Sequence, residues 1–154
     1  MLETPDKFPV QIVIAEDNPA DVKLVRMALR DAGLDCSLRV VGDGAQAIAL
    51  IETLDADSKA APIDLLLLDM HMPKYDGEDV LKRLRSTERH AQTPVIVMTT
   101  SNAPQDHEKA LKNAAVYYFM KPSSVKEFLQ LGEIILDILS RRTGGQAQDR
   151  QGAP

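Results

Sequence analysis

Three acids stand where apolar runs stop. Glu16 and Asp17 follow VQIVIA (10–15), and Asp69 follows IDLLLL (63–68). Two more such runs end on other polar groups: PVIVM (94–98) leads into Thr99, and AVYYFM (115–120) leads into Lys121. Three carboxylates gathered in one place repel, and some are forced to keep a proton unless a cation joins them. Hard oxygen donors of this kind suit Mg²⁺, with Mn²⁺ as the alternative. A hydroxyl and an ammonium aimed at the same point suit a phosphoryl group, whose oxygens take a metal, a cation and a hydrogen-bond donor. Singly, each residue has a plainer reading. Glu16-Asp17 ahead of Pro19 can open a helix, and Thr99 or Lys121 can be ordinary strand-end polar groups. The order of all five carries the site.

Those five residues meet only if the runs are neighbouring strands of one parallel sheet. The runs above, with CSLRVV (36–41), lack polar alternation, as expected of strands covered on both faces. Amphipathic segments lie between them. Leu24, Val25, Ala28, Leu29 and Ala32 form one helical stripe, with Gly33 as the stop. Asp43 and Gln46 resemble a capping box opening a second helix through Ile51. A third follows Gly77 with Val80, Leu81 and Leu84. A fourth, about 103–114, has the weakest apolar face, mainly Ala110 and Leu111. A fifth opens on Ser124 and Glu127 and runs to about Arg141. Five strands each followed by a helix predict a doubly wound α/β domain with helices on both faces of a five-stranded parallel sheet. In such sheets ligands bind beyond the carboxyl ends of the strands, where these polar residues fall.

The 154 residues make one domain, read as 9–141, with an N-terminal extension at 1–8 and a disordered tail at 142–154. A net charge of -5 argues against a nucleic-acid surface. No apolar run reaches membrane-spanning length, the start MLETPDKFP has no signal-peptide core, and Cys36 is alone. The expected location is the cytoplasm. His90 and His107 read as exposed, and no metal-ligand spacing links them to His71.

The ordered set AEDN (15–18), LLLLDMHMPKYDG (65–77), VIVMTTS (95–101) and YFMKPSS (118–124) resembles a response-regulator receiver domain of the chemotaxis-regulator kind. The resemblance spans nearly all of residues 9–141. It implies a flavodoxin-like receiver fold with strand order 2-1-3-4-5 and phosphorylation of Asp69 by a sensor histidine kinase. Asp17 would hold Mg²⁺ directly and Glu16 through water, with Asp69 and the main-chain carbonyl of His71 completing the set. Thr99 and Lys121 would bind the phosphoryl oxygens, with Tyr118 as a switch aromatic that reads equally as core packing. A cis Lys121–Pro122 bond is implied as well. Thr100 stands where relatives often carry Ala or Gly, and His71 where side chains influence hydrolysis, so both are expected to modulate the rate. Slow self-dephosphorylation is expected from Thr100. Ala114 stands where relatives often have Gly. EDNPADVKLVRMAL, MPKYDG and MTTS look like the stand-alone receivers that partner bacterial phytochrome kinases.

The fifth helix carries more apolar residues than one face hides. Val125, Phe128, Gly132, Ile135, Leu136 and Leu139 read as its core stripe. Leu131, Ile134 and Ile138 then form a second stripe, read as a homodimer face together with the fifth strand or fourth helix. The leading function is a phosphorylation-gated signalling module, not an enzyme beyond its own phosphorylation and dephosphorylation, acting on a downstream protein. A phosphorylation-independent adaptor and a Mg²⁺-dependent aspartyl phosphohydrolase are the rivals. The first usually lacks an acid, the hydroxyl or the lysine. The second usually has an acid where this chain has His71.

Overall fold

The computed structural model describes residues 9–150, with side chains described as far as Arg141. The expected extension at 1–8 and residues 151–154 of the expected tail lie outside the described residues. Strands β1 (Val10–Ala15), β2 (Cys36–Val41), β3 (Leu65–Leu68), β4 (Val95–Thr99) and β5 (Tyr117–Met120) form one parallel sheet in the order β2-β1-β3-β4-β5. The helices are α1 (Pro19–Asp31), α2 (Gly44–Ala56), α3 (Gly77–Ser86), α4 (Pro104–Lys112), α5 (Val125–Phe128) and α6 (Leu131–Arg150).

Strand alternation divides the interior into two cores, because successive side chains leave opposite faces of the sheet. Val13, Ala15, Leu66, Leu68, Val95 and Val97 pack against α2, α3 and α4. Ile12, Ile14, Leu65, Leu67, Ile96 and Met98 pack against α1, α5 and α6. The four leucines of β3 are fully buried, and each contributes on the order of 1.5–3 kcal/mol through removal from water.

Local signals set the helix ends. Asn18 caps α1, accepting from the Ala20 amide at 2.9 Å, and Gly33 ends it at φ +72. Asp43 accepts from the Gln46 amide at 2.8 Å, but Gln46 returns its bond to the Gly42 amide at 2.9 Å. The reciprocal capping box belongs to α3 instead, between Asp76 and Asp79.

The expected single fifth helix is two. At the join, the amides of Gln130, Gly132 and Glu133 each bond three residues back, to Glu127, Leu129 and Gln130. This tighter turn shifts the phase of α6 relative to α5. The shift explains three corrections. Val125, expected in the core, is half-exposed. Leu131, expected on the dimer stripe, is fully buried in the core beside Phe128 and Ile135. Leu136 and Leu139 are only partly buried. The backbone also stays helical to Arg150, past the end expected near Arg141, because extending a formed helix is far cheaper than starting one. Gly132 faces α1 so closely that a Cβ would lie 2.5 Å from the Ala28 carbonyl oxygen.

Three other readings are corrected. Leu111 faces solvent, leaving α4 to bury chiefly Asp106 and Ala110. His90 is fully buried, its Nε2 accepting from the Ile63 amide at 3.0 Å, because the loop before β3 needs a partner for that amide. The Lys121–Pro122 bond is trans, the isomer a prolyl bond favours by about 0.5–1 kcal/mol.

Arg85, at the end of α3, reaches across the amino ends of two strands. Its guanidinium donates to the carbonyls of His90, Ala91 and Thr93 ahead of β4, and of Asn113 and Ala114 ahead of β5. Ala114 itself stands at φ +62, closing α4 where a glycine is the unstrained choice.

Candidate functional site

The sheet register brings the sequence-predicted residues together. Ala15 pairs with Leu68, so Glu16 and Asp69 leave adjacent strands side by side. Thr99 pairs with Met120, which puts Lys121 just beyond Thr99, and the Lys121 amide donates to the Thr99 carbonyl at 2.9 Å. Glu16, Asp17 and Asp69 each offer a carboxylate oxygen within 4.8 Å of the others. Glu16 and Asp69 are buried, while Asp17 is exposed.

Lys121 Nζ lies among the acids. It donates to Glu16 Oε1 at 2.7 Å, Asp21 Oδ2 at 2.8 Å and Asp69 Oδ2 at 3.3 Å. One positive charge cannot satisfy so many carboxylates, and Glu16, only 2% exposed, carries the deficit. Burial is the main cause that pushes its pKa up to about 7; the Asp69 charge adds to this, and the Lys121 bond opposes it. Burial alone would lower the pKa of Lys121, but its bonds to Asp21 and Glu16 and the charge of Asp69 raise it. The lysine is therefore held charged while its most buried partner is driven toward neutrality. Among the described residues this is the one acidic cluster with the geometry of a metal site. Its all-oxygen donors, and a buried carboxylate short of positive charge, fit a hard divalent cation.

Thr99 is buried, and its Oγ1 accepts from the Ser101 amide at 3.1 Å. Thr100 is exposed. Tyr118 is partly buried against the core. Its hydroxyl donates to the Ser101 carbonyl at 2.9 Å, and its ring stacks on His107 with centroids 3.7 Å apart. Burial, then the charge of Asp106, raises the Tyr118 pKa. The His71 amide donates to Asp69 Oδ1 at 3.0 Å, while its ring Nε2 turns to Asp106 Oδ2 at 2.7 Å. The dimer stripe is not brought together as expected: Ile134 and Ile138 line a surface groove, and Leu131 does not.

Sequence reasoning missed Asp21, Ser101 and Asp106. Asp21 lies four residues after Asp17 in EDNPAD, a weak signal that an acid in a first helical turn explains away. Ser101 Oγ donates to Asp106 Oδ2 at 2.5 Å. That bond, and next the His71 bond, hold Asp106 below the usual carboxylate range against the effect of burial.

Residues 12–132 match the response regulator receiver domain family. The probable methanogenesis regulatory protein FilR2 of Methanothrix harundinacea is 31% identical over 88% of this chain and 85% of its own. Response regulator Rcp1 of Synechocystis is 28% identical over 80% of this chain and 84% of its own. Its Mn²⁺-bound form has a TM-score of 0.73, covering 82% of this chain and 91% of that one. The phosphorylated cyanobacterial phytochrome response regulator RcpA has a TM-score of 0.74 at 29% identity, covering 84% of this chain and 91% of that one. With this fold and these residues at the carboxyl edge, the chain belongs to the response regulator receiver domains of two-component signalling.

Proposed function

We propose that Asp69 is the phosphoacceptor of a two-component pathway. The supporting observation is its place, buried at the end of the central strand beside Lys121, with Glu16 and Asp17 in metal-ligand range. An Asp69 carboxylate oxygen attacks the phosphorus of a phosphohistidine; the new O–P bond replaces the P–N bond, and the electron pair returns to the imidazole. Lys121 leaves part of its carboxylate set to pair with a phosphoryl oxygen. The Thr99 hydroxyl, now accepting from Ser101, has its proton free to donate to another. Glu16, Asp17, Asp69 and the main-chain carbonyl of His71 would hold Mg²⁺, or Mn²⁺, which when bound draws charge from the phosphoryl oxygens. Water later attacks the phosphorus, the Asp69 O–P bond breaks, and phosphate leaves. Thr100 and His71 modulate this step.

The protein in this reading is a stoichiometric acceptor that works in the cytoplasm. Intact mass after incubation with a small-molecule phosphodonor and Mg²⁺ tests it. One phosphoryl group is expected on the wild type and none on Asp69→Asn. Multiple turnover in a phosphatase assay would favour the phosphohydrolase instead. No modification from either the small donor or a histidine kinase would leave the adaptor. The likeness to Rcp1 and RcpA supports a phytochrome-linked sensor histidine kinase as the donor.

The output we propose is altered binding of a downstream protein, with a homodimer as one form of the signal. A groove of 690 Å³ between β5 and α6 supports the dimer. Val116, Tyr117, Ile134 and Ile138 make it apolar; Glu133 and Asp137 flank it on α6, with Arg141 one turn further on. Arg141 pairs with Asp137 of its own helix at 2.9 Å, and in an antiparallel pair of copies each Arg141 would meet the other's Glu133 as well. A monomeric mass at all concentrations, with and without phosphorylation, would exclude this.

A further inference from the structure

His71 sits two residues after Asp69, on the loop that must accommodate whatever is bonded to Asp69. Its main-chain amide holds Asp69 Oδ1 at 3.0 Å, and its ring holds Asp106 on the first turn of α4 at 2.7 Å. The ring is 60% exposed, so burial does not fix it, whereas the Asp106 side chain is 9% exposed and firmly seated. Ser101 seats it. Its hydroxyl donates to the same Asp106 oxygen, its amide donates to Thr99, and its carbonyl accepts from Tyr118. Ser101 Oγ also accepts from the Ala103 amide at 3.1 Å, just ahead of α4. That bond matters because Ala103 gives the helix no side-chain cap. Few apolar side chains pin α4: it buries Asp106 and Ala110, so the polar ties at its start bear directly on its stability.

We propose that Asp106 is a positioning residue of the acceptor site: through the His71 ring it ties the first turn of α4 to the loop leaving Asp69, so the group carried by Asp69 sets the stability of α4. The proposal rests on the acceptor reading for its trigger, but the tie exists without phosphate. An ionised carboxylate only accepts, so His71 Nε2 carries the proton of the bond and Asp106 fixes the ring's tautomer and place. A phosphoryl group on Asp69 competes for the His71 amide and displaces the loop, and the ring transmits that displacement to Asp106. Thr99 and Tyr118, which touch Ser101 from the other side, feel the same movement.

Two measurements test the tie. In the unmodified protein, His71→Ala and Asp106→Ala should each speed hydrogen exchange of α4 amides 104–112 by about fivefold or more, with Asp106→Ala the larger because it also frees Ser101, and the double variant by no more than Asp106→Ala alone. The His71 ring nitrogens should show one fixed tautomer by NMR in the wild type and a mixture in Asp106→Ala. Additive effects, or an unchanged ring signature, would overturn the proposal. Should Asp106→Ala fail to fold, Asp106→Leu, which keeps the bulk and offers no acceptor to His71 or Ser101, takes its place in both measurements with the same expectations. In the phosphorylated protein, α4 exchange should change in the wild type and stay constant in the variants. If the wild type takes up no phosphoryl group, the acceptor reading fails, while the tie is still decided by the unmodified arm.

Discussion

Lys121 Nζ lies 2.8 Å from Asp21 and 3.3 Å from Asp69. The lysine is nearer to an acid on α1 than to Asp69, the proposed acceptor, so Asp21 competes with any phosphoryl group there for the lysine. Replacing Asp21 by Asn should weaken that hold without emptying the site, because Glu16 and Asp69 remain. Phosphorylation of Asp21→Asn from a small-molecule donor should be several-fold faster than in the wild type. A slower reaction would show that Asp21 positions the lysine and does not withhold it.

Removing the lysine is a different matter. Lys121→Ala leaves two buried carboxylates, Glu16 and Asp69, facing each other with no positive partner. Breaking a buried ion network from one side costs on the order of 3–5 kcal/mol. Chemical denaturation without metal should show a loss of that size, and added divalent cation should recover much of it.

Glu16, with its pKa pushed up to about 7, must lose its proton to serve as a ligand. Divalent-cation affinity should therefore be about tenfold weaker near pH 6 than near pH 8, as titration calorimetry would show. Stability of the metal-free protein follows the same proton with the opposite sense. A carboxyl group whose folded pKa is raised above its unfolded value adds stability that is full below the unfolded pKa, 4.5, and is lost as pH rises through about 7. Proton release on metal addition at about pH 6 checks the first statement, and denaturation midpoints of the metal-free protein between pH 5 and pH 8 check the second.

Ala114 at φ +62 carries a left-handed penalty of about 1–2 kcal/mol that glycine avoids. Ala114→Gly should stabilise the protein by about 1 kcal/mol after the extra freedom of the unfolded chain is subtracted. At this chain length that is a rise in melting temperature of about 2–4 °C.

Gly132→Ala should act in the other direction. The added Cβ would lie 2.5 Å from the Ala28 carbonyl oxygen and 3.0 Å from Ala32 Cβ, so α6 would have to back away from α1. Overpacking of this kind costs about 1–3 kcal/mol, which a denaturant midpoint would register.

The inner ring of the site was legible because Glu16, Asp69, Thr99 and Lys121 each stand at or directly after the end of an apolar run, a local signal. Asp21, Ser101 and Asp106 enter through contacts that no local pattern announces. Asp21 meets a lysine 100 residues away, and an acid in a first helical turn already has an ordinary explanation. His90 is hidden from local pattern for a related reason: its burial follows from the need of Ile63, 27 residues earlier, for a hydrogen-bond partner. Leu131 falls in the core and not on the outer stripe because the turn joining α5 to α6 changes the helical phase, which a single helical wheel does not show. Strand pattern survived better than helix pattern, since a buried parallel strand needs only a short unbroken run.

Arg85 has a mechanical consequence. By gathering carbonyls ahead of both β4 and β5, one side chain rivets the amino ends of these strands together. Thr99 and Lys121 lie at the opposite ends, where the Lys121 amide bond to the Thr99 carbonyl and the Tyr118 hydroxyl bond to the Ser101 carbonyl are single ties. A disturbance at the carboxyl edge is then met by two levers sharing a fulcrum, clamped below by five bonds from one side chain and more lightly tied above. Small movements near Asp69 would then be taken up at the tips of β4 and β5 and in the loops leaving them, with Arg85 holding the base of the sheet.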